Sequence, residues 1–598
     1  MKTHKYSVNH HPLETILTWV KSDEIAIPEI QRPFVWDAIK VRDLIDSLYH
    51  GYPIGYLISW RNPDVKLKNG TTSEGKKILI DGQQRVMALN AAILGEHVIN
   101  KDYRRIRIRI AFNPIEEKFE VLNTAIEKDS TWLPDISKIF LDEISLLELV
   151  DDYHKKNQDL NRNFIFEKLE HLSKITGRQI GLIDLDQDLD IETVTEIFIR
   201  INSAGVVLSQ ADFAMSKIAA NEKYGGSRIR KCIDYFCHLA VAPESYVHIA
   251  EEDREFAGTD YFKKMTWLKD EKENLYDPAY TDLLRVAFTS EFDRGKLADL
   301  VSLLSGRNFE KKTYEDEISK SSFSTLEKGI INFINENNFN RFLMIIKSAG
   351  FISPKLIRSQ NALNFAYILY LKLRYQGYKP GDIERYVRRW FVLSVLTGRY
   401  SSSPETAFDF DIKNISKRSF DAYLKDLEDA ELPDTFWDVA LVQDMNTSVA
   451  SSPYFNVYLA SQVKENDKGF LSKEITVKDL ISHIGDIHHV FPREYLKRNG
   501  LKRAQYNQIA NYVYMQSEIN IQVGCKAPHE YFNELKEQCE SSESKYGWIT
   551  DFSTLKSNLN MNCIPETIFS MDIHDYEDFL NQRRALMAKK IQKYYFSL

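Results

Sequence analysis

Apolar positions in the first 220 residues change period repeatedly. Residues 13–20 carry them at helical spacing, while 25–30 read as extended because Pro28 disfavours a helix before it. Asp37 is a natural N-cap for a helix with Val41, Leu44, Ile45 and Leu48 along one face. Gly51-Tyr52-Pro53-Ile54-Gly55 breaks that helix, 56–60 reads as a strand, and 62–75 is a polar loop. Ile78-Leu79-Ile80 predicts a short buried strand and 83–94 a helix closed by Gly95. Residues 105–112 alternate Ile and Arg, predicting a strand with one wet face. From 221 to 450 helical periodicity dominates: Leu363, Phe365, Ile368, Leu369 and Leu371 mark one strongly apolar helix, and 385–396 is another. Beyond 450 the signals at 454–463 and 475–481 are mixed, a β-like run follows at 486–492, and 579–595 closes as a basic amphipathic helix. These shifts predict three domains, 1–220, a helical connector at 221–450, and 451–598. No internal repeat or low-complexity segment stands out.

A chain of 598 residues is too long for one core. Its 43% hydrophobic and 27% charged content is ordinary for a globular protein. No apolar run is long enough for a membrane span, and the first residues lack a signal-peptide core, so a cytoplasmic protein without membrane contact is expected. Cys232, Cys237, Cys525, Cys539 and Cys563 form no Cys-x-x-Cys pair and read as buried thiols rather than a metal knuckle. A net charge of −8 argues against indiscriminate coating of nucleic acid. Positive charge nevertheless gathers in two places. Residues 486–503 set Arg493, Lys497, Arg498, Lys502 and Arg503 against Asp486 and Glu494. Residues 583–593 hold Arg583, Arg584, Lys589, Lys590 and Lys593 without an acid. Phosphates could dock at either, although a solvated helix face explains the second equally well.

Two constellations carry candidate chemistry. In Asp486-Ile487-His488-His489-Val490-Phe491-Pro492 the adjacent histidines of a strand point to opposite faces. One imidazole can bind a divalent ion while the other activates water. Asn511 and Asn520 follow, and an amide oxygen is a hard ligand suited to Mg²⁺. The bland alternative is a pair of structural histidines. In the second constellation Ile80 ends a strand, Asp81-Gly82 makes a turn and Gln83 opens a helix, so free backbone N–H groups and the helix dipole meet at one spot that suits phosphate. Gln83, Gln84 and Arg85 add donors there, and Gln31-Arg32-Pro33-Phe34-Val35-Trp36 could share the pocket.

Gln31-Arg32-x-Phe34-Val35-Trp36 followed by Asp81-Gly82-Gln83-Gln84-Arg85 resembles the N-terminal domain of GmrSD-type (type IV) restriction endonucleases. Phe198-Ile199-Arg200-Ile201-Asn202-Ser203-x-Gly205-x-x-Leu208-Ser209 resembles a further element of it, with Asn202 toward the nucleotide and Gly205 also readable as a helix C-cap. His488-His489-Val490-Phe491-Pro492, Asn511, Asn520 and Lys526-x-Pro528-x-x-Tyr531 resemble the HNH nuclease domain of the same proteins. The resemblance implies an α+β multidomain chain: a ParB/sulfiredoxin-like α/β N-terminal domain, an α-helical connector and a ββα-metal (HNH) C-terminal domain. It implies His489 as general base, His488 and Asn520 as metal ligands for Mg²⁺ or Mn²⁺, and Asn511 as a loop-steadying residue, with Asn511 as ligand an open alternative. Gln31, Arg32, Asp81, Gly82, Gln83, Gln84, Arg85 and Asn202 would bind GTP or ATP. Arg493, Lys497, Lys502 and Arg503 would hold DNA. The implied function is a modification-dependent DNA endonuclease of anti-phage defence, regulated by nucleotide binding or hydrolysis, with modified phage DNA and NTP as partners and homo-oligomers left open. The alternative is a non-catalytic sensor of nucleotide or modified DNA that signals to a partner.

Overall fold

The structure is a computed structural model that describes residues 5–22, 24–26, 36–61, 77–99, 105–141, 144–186, 189, 193–194, 197, 209–483, 485–541 and 545–598. It is a mixed α+β chain, mostly helical, that divides into two compact units. One takes Met1–Lys263 and Leu304–Lys320, the other Lys264–Leu303 and Ser321–Leu598. Among the described residues no helix is long and apolar enough to cross a membrane.

The first unit is built on a five-stranded sheet. Its strands are β1 (Tyr6–Pro12), β2 (Ile25–Ala26), β3 (Leu57–Arg61), β4 (Lys77–Asp81) and β9 (Gln179–Leu185), in the order β1-β9-β3-β4-β2. β9 runs antiparallel to β1 and parallel to β3, while β4 is antiparallel to β3 and parallel to β2. Helices α1 (Leu13–Lys21), α2 (Ala38–Tyr49) and α3 (Gln83–Ile93) share a core with one sheet face through Ile16, Ile45, Val86, Leu57, Leu79 and Leu182. Alternate residues of the same strands, Ile58, Trp60 and Leu185, form a second cluster, as period-two strands buried on both faces require. Asp37 caps α2 as its position predicts, accepting from the Lys40 N–H at 2.8 Å. Trp36 packs against the first core.

The strand expected at 105–112 is two strands. Between β5 (His97–Ile99) and β9 lie β6 (Arg105–Arg107), which pairs with β5, and β7 (Ile110–Asn113), which pairs with β8 (Lys118–Val121). Arg107 does not face water: its guanidinium donates to the carbonyls of Ala91 and Ile108 and reaches Asp135 and Ser137.

In the second unit the helix Gln360–Tyr375 is buried on almost every side, and Pro380–Leu396 packs beside it. The mixed signal at 454–463 resolves as a helix, Pro453–Glu465, whose residues from Phe455 to Val463 are all buried. A helix apolar all round shows no amphipathic period. The final helix, Tyr576–Ser597, joins this core through Tyr594, whose hydroxyl donates to the Ala349 carbonyl at 2.5 Å.

Candidate nuclease site

A small hairpin carries the two histidines. β10 (Ile487–His489) pairs antiparallel with β11 (Tyr512–Tyr514), setting His489 opposite Tyr512 and His488 opposite Val513. The helix Arg493–Arg498 and a looped segment connect the strands, and the helix Ser517–Val523 follows β11. The order is therefore strand, connection, strand, helix.

The imidazoles occupy different environments, as opposite strand faces dictate. His489 Nε2 lies 3.0 Å from Asn507 Oδ1. With the amide oxygen as acceptor, Nε2 carries the proton and Nδ1 is left to accept one. The ring stands edge-on to Tyr512, with centroids 5.2 Å apart. Burial pushes the His489 pKa below its ordinary 6.5; the Asn507 bond opposes this, and the charges of Arg493 and His488 add to it. His488 is also pushed down by burial, against the pull of the Asp486 carboxylate. Its Nε2 is buried and has no hydrogen-bond partner among the described residues.

Three buried side chains fix the hairpin. Asn511 is fully buried; its Oδ1 accepts from the Phe491 N–H at 2.8 Å, and its Nδ2 donates to the carbonyls of Phe491 and Tyr506 at 3.1 and 3.3 Å. A side chain so committed holds the loop. Tyr531 donates to the Val490 carbonyl at 2.8 Å. Arg583 donates to the Ala510 carbonyl at 2.8 Å and to the Asn562 carbonyl.

This last contact bears on the 583–593 run, which the sequence left equally open between phosphate docking and a solvated helix face: Lys589 and Lys593 are exposed, but the other three cations are committed within the fold. Arg583 and Arg584 are buried, and Lys590 pairs with Glu465 and Asp467 at 2.8 and 2.7 Å. Arg583 sits at the same four-residue spacing as Phe579, Met587 and Ile591, all buried. That spacing could have identified it as an inward residue.

Asn520 lies in the helix Ser517–Val523, and its half-buried side chain makes no hydrogen bond among the described residues. Arg493, Lys497, Lys502 and Arg503 are exposed. Arg493 and Lys497 share Glu494 at 3.3 and 2.9 Å, a surface arrangement that binds them weakly. Of this cluster, Asn507 was missed by the sequence reading. It stands in the loop before Asn511 with no periodic signal to mark it.

In the first unit the structure brings Asp81, Gly82, Gln83 and Arg85 to one junction. Gly82 has φ +90, and a Cβ there would lie 2.2 Å from Leu57 Cδ2, so only glycine fits. Arg85 is turned inward, donating from Nη1 to the Ile54 carbonyl and from Nη2 to Asp81, each at 2.9 Å. Gln83 is buried; its Nε2 donates to the Leu79 carbonyl, and its Oε1 has no partner among the described residues. Gln84 follows it in the first turn of α3. Gln31, Arg32, Phe34, Asn202 and Gly205 lie outside the described residues.

Residues 13–219 match the family described as GmrSD restriction endonuclease, N-terminal domain. This part of the chain is therefore similar to that N-terminal domain, and the match takes in strands β2, β3, β4 and β9 of the sheet and the Asp81–Arg85 turn, but not β1. The chain is also similar to Uncharacterized protein MJ0686 of Methanocaldococcus jannaschii, at 21% identity, with 88% of this chain and 87% of that protein covered.

Proposed function

We propose that the chain is a metal-dependent DNA endonuclease of restriction type, in which the β10–β11 site hydrolyses phosphodiesters and the GmrSD-type domain regulates it through GTP or ATP. Modified phage DNA is the target this reading implies. The observation that carries the reading is the pair of imidazoles: one with its tautomer set by Asn507, the other with a buried nitrogen left unused. A buried polar atom without a partner costs about 1–3 kcal/mol, a cost that a bound water or ion relieves.

On this reading a divalent cation sits at the unpartnered His488 Nε2. The Asn520 amide oxygen would be a second donor, and the Asp486 carboxylate acts on His488. Water and substrate phosphate would complete the shell, as is usual for Mg²⁺. The softer imidazole also suits Mn²⁺. Such an ion would stabilise charge on the phosphate and the leaving oxygen. The chain's own contribution is separate. His489, neutral at ordinary pH, takes a proton from water at Nδ1, and Asn507 keeps the other nitrogen protonated. Arg493, whose charge is felt at His489, holds the phosphate close, and Lys497, Lys502 and Arg503 follow the strand.

One observation favours the alternative, a non-catalytic sensor of nucleotide or modified DNA: among the described residues no group of three or more His, Cys, Asp or Glu gathers to hold a metal. Incubating the full chain with supercoiled plasmid separates the readings. The endonuclease nicks plasmid in Mg²⁺ or Mn²⁺, stops in EDTA, and responds to GTP or ATP and to the DNA's modification. A sensor binds and never nicks.

A further inference from the structure

The loop between α2 and β3, His50-Gly51-Tyr52-Pro53-Ile54-Gly55-Tyr56, contains no acid. Both of its glycines are left-handed, with φ +74 at Gly51 and +86 at Gly55, and an arginine is seated on each. A Cβ at Gly51 would lie 3.4 Å from Arg178 Nη1, and one at Gly55 would lie 2.6 Å from Arg85 Nη1. Arg178 donates to the Tyr49 carbonyl at 3.2 Å, and no carboxylate pairs with it among the described residues.

Two large aromatic side chains stand out of this loop into water: Tyr52 is 62% exposed and Tyr56 52%. Neither is loose. Tyr52 stacks on His50 with centroids 5.6 Å apart and planes 18° apart. Tyr56 rests on bare backbone of β9, since a Cβ at Gly181 would lie 2.4 Å from its Cδ1 and Cε1. Gly181 has ordinary extended φ, so glycine is needed there for the room it gives the ring. A pinned ring with an open surface, on a loop that also seats the Arg178 guanidinium at Gly51, is the chemistry that stacks nucleobases.

We propose that Tyr56, with Tyr52 next along the loop, is a stacking platform for the bases of a nucleic-acid strand whose phosphates pass Arg178. Two aromatic rings separated along one loop suit successive bases of a strand better than a single nucleotide. The proposal deepens the reading above and rests on it in one respect, that DNA is the ligand.

The test is binding by the full chain in EDTA, so that cleavage plays no part. The probes are a short fluorescent single-stranded DNA and the same strand with abasic sites. Tyr56→Ala weakens binding of the base-bearing strand by at least about fivefold and leaves the abasic strand unchanged. Tyr56→Phe, which keeps the ring, binds like wild type. The proposal is overturned if Tyr56→Ala binds both strands like wild type, or loses both equally. It is also overturned if wild type binds neither strand, or binds free nucleoside triphosphate through Tyr56 and no strand. Cleavage by a His489→Ala variant is read separately. Its loss alongside unaltered Tyr56→Ala binding sinks the platform and spares the nuclease; the reverse pair of results spares the platform.

Discussion

The Asp81–Arg85 turn and the β10–β11 hairpin both end a short strand in polar residues, yet they differ in how their charged and ring groups are used. At the turn the charged donors are spent internally: Arg85 is held by Asp81 and by the Ile54 carbonyl. At the hairpin the loop is held by groups outside the reactive pair, Asn511, Tyr531 and Arg583, which leaves His488 Nε2 uncommitted. A motif residue can do chemistry only with atoms that the fold has not already used.

Variants can sharpen that contrast. The largest effect among the supporting residues is expected at His488. His488→Ala removes the unused nitrogen and lowers metal-dependent nicking by about a hundredfold or more, with calorimetry showing weaker Mn²⁺ binding. Unchanged Mn²⁺ affinity would assign that nitrogen another purpose. Asn507 comes next. Asn507→Ala frees the His489 tautomer and costs about 10–100-fold in rate. The pH dependence gives a sign. The folded-state pKa of His489 lies below 6.5, so the neutral base persists until the pH falls through that lowered value, and the acid limb of the pH–rate profile lies below 6.5. Asn507→Asp places a carboxylate against the imidazole, favours imidazolium, and moves that limb to higher pH. A limb that stays in place would detach Asn507 from the base. The smallest effect is at the turn. Arg85→Ala loses one ion pair and one carbonyl bond and lowers stability by about 1–2 kcal/mol in urea unfolding. A larger loss of nucleotide affinity than of stability would show that Arg85 also meets ligand.

Much of this was legible in sequence where period and punctuation agree. Asp37 capped its helix, the Asp81-Gly82 turn joined strand to helix, and the His488-His489 run formed a strand with Asn511 beneath it. The failures share a cause: tertiary contacts that local pattern does not encode. Arg107 reads as a wet-face residue and Arg583 as part of a basic surface, but each guanidinium is turned inward to backbone carbonyls. The helix Pro453–Glu465 hid because burial on every side erases periodicity. Asn507 had no signature, because its role depends on a loop bringing it to His489.

The central claim is that His489 is the base of a phosphodiester-hydrolysing site, and single-turnover nicking of supercoiled plasmid in Mg²⁺ or Mn²⁺ tests it most directly. His489→Ala should fold like wild type by circular dichroism and nick about 10²–10⁴ times more slowly. Nicking at the wild-type rate by that folded variant would contradict the assignment.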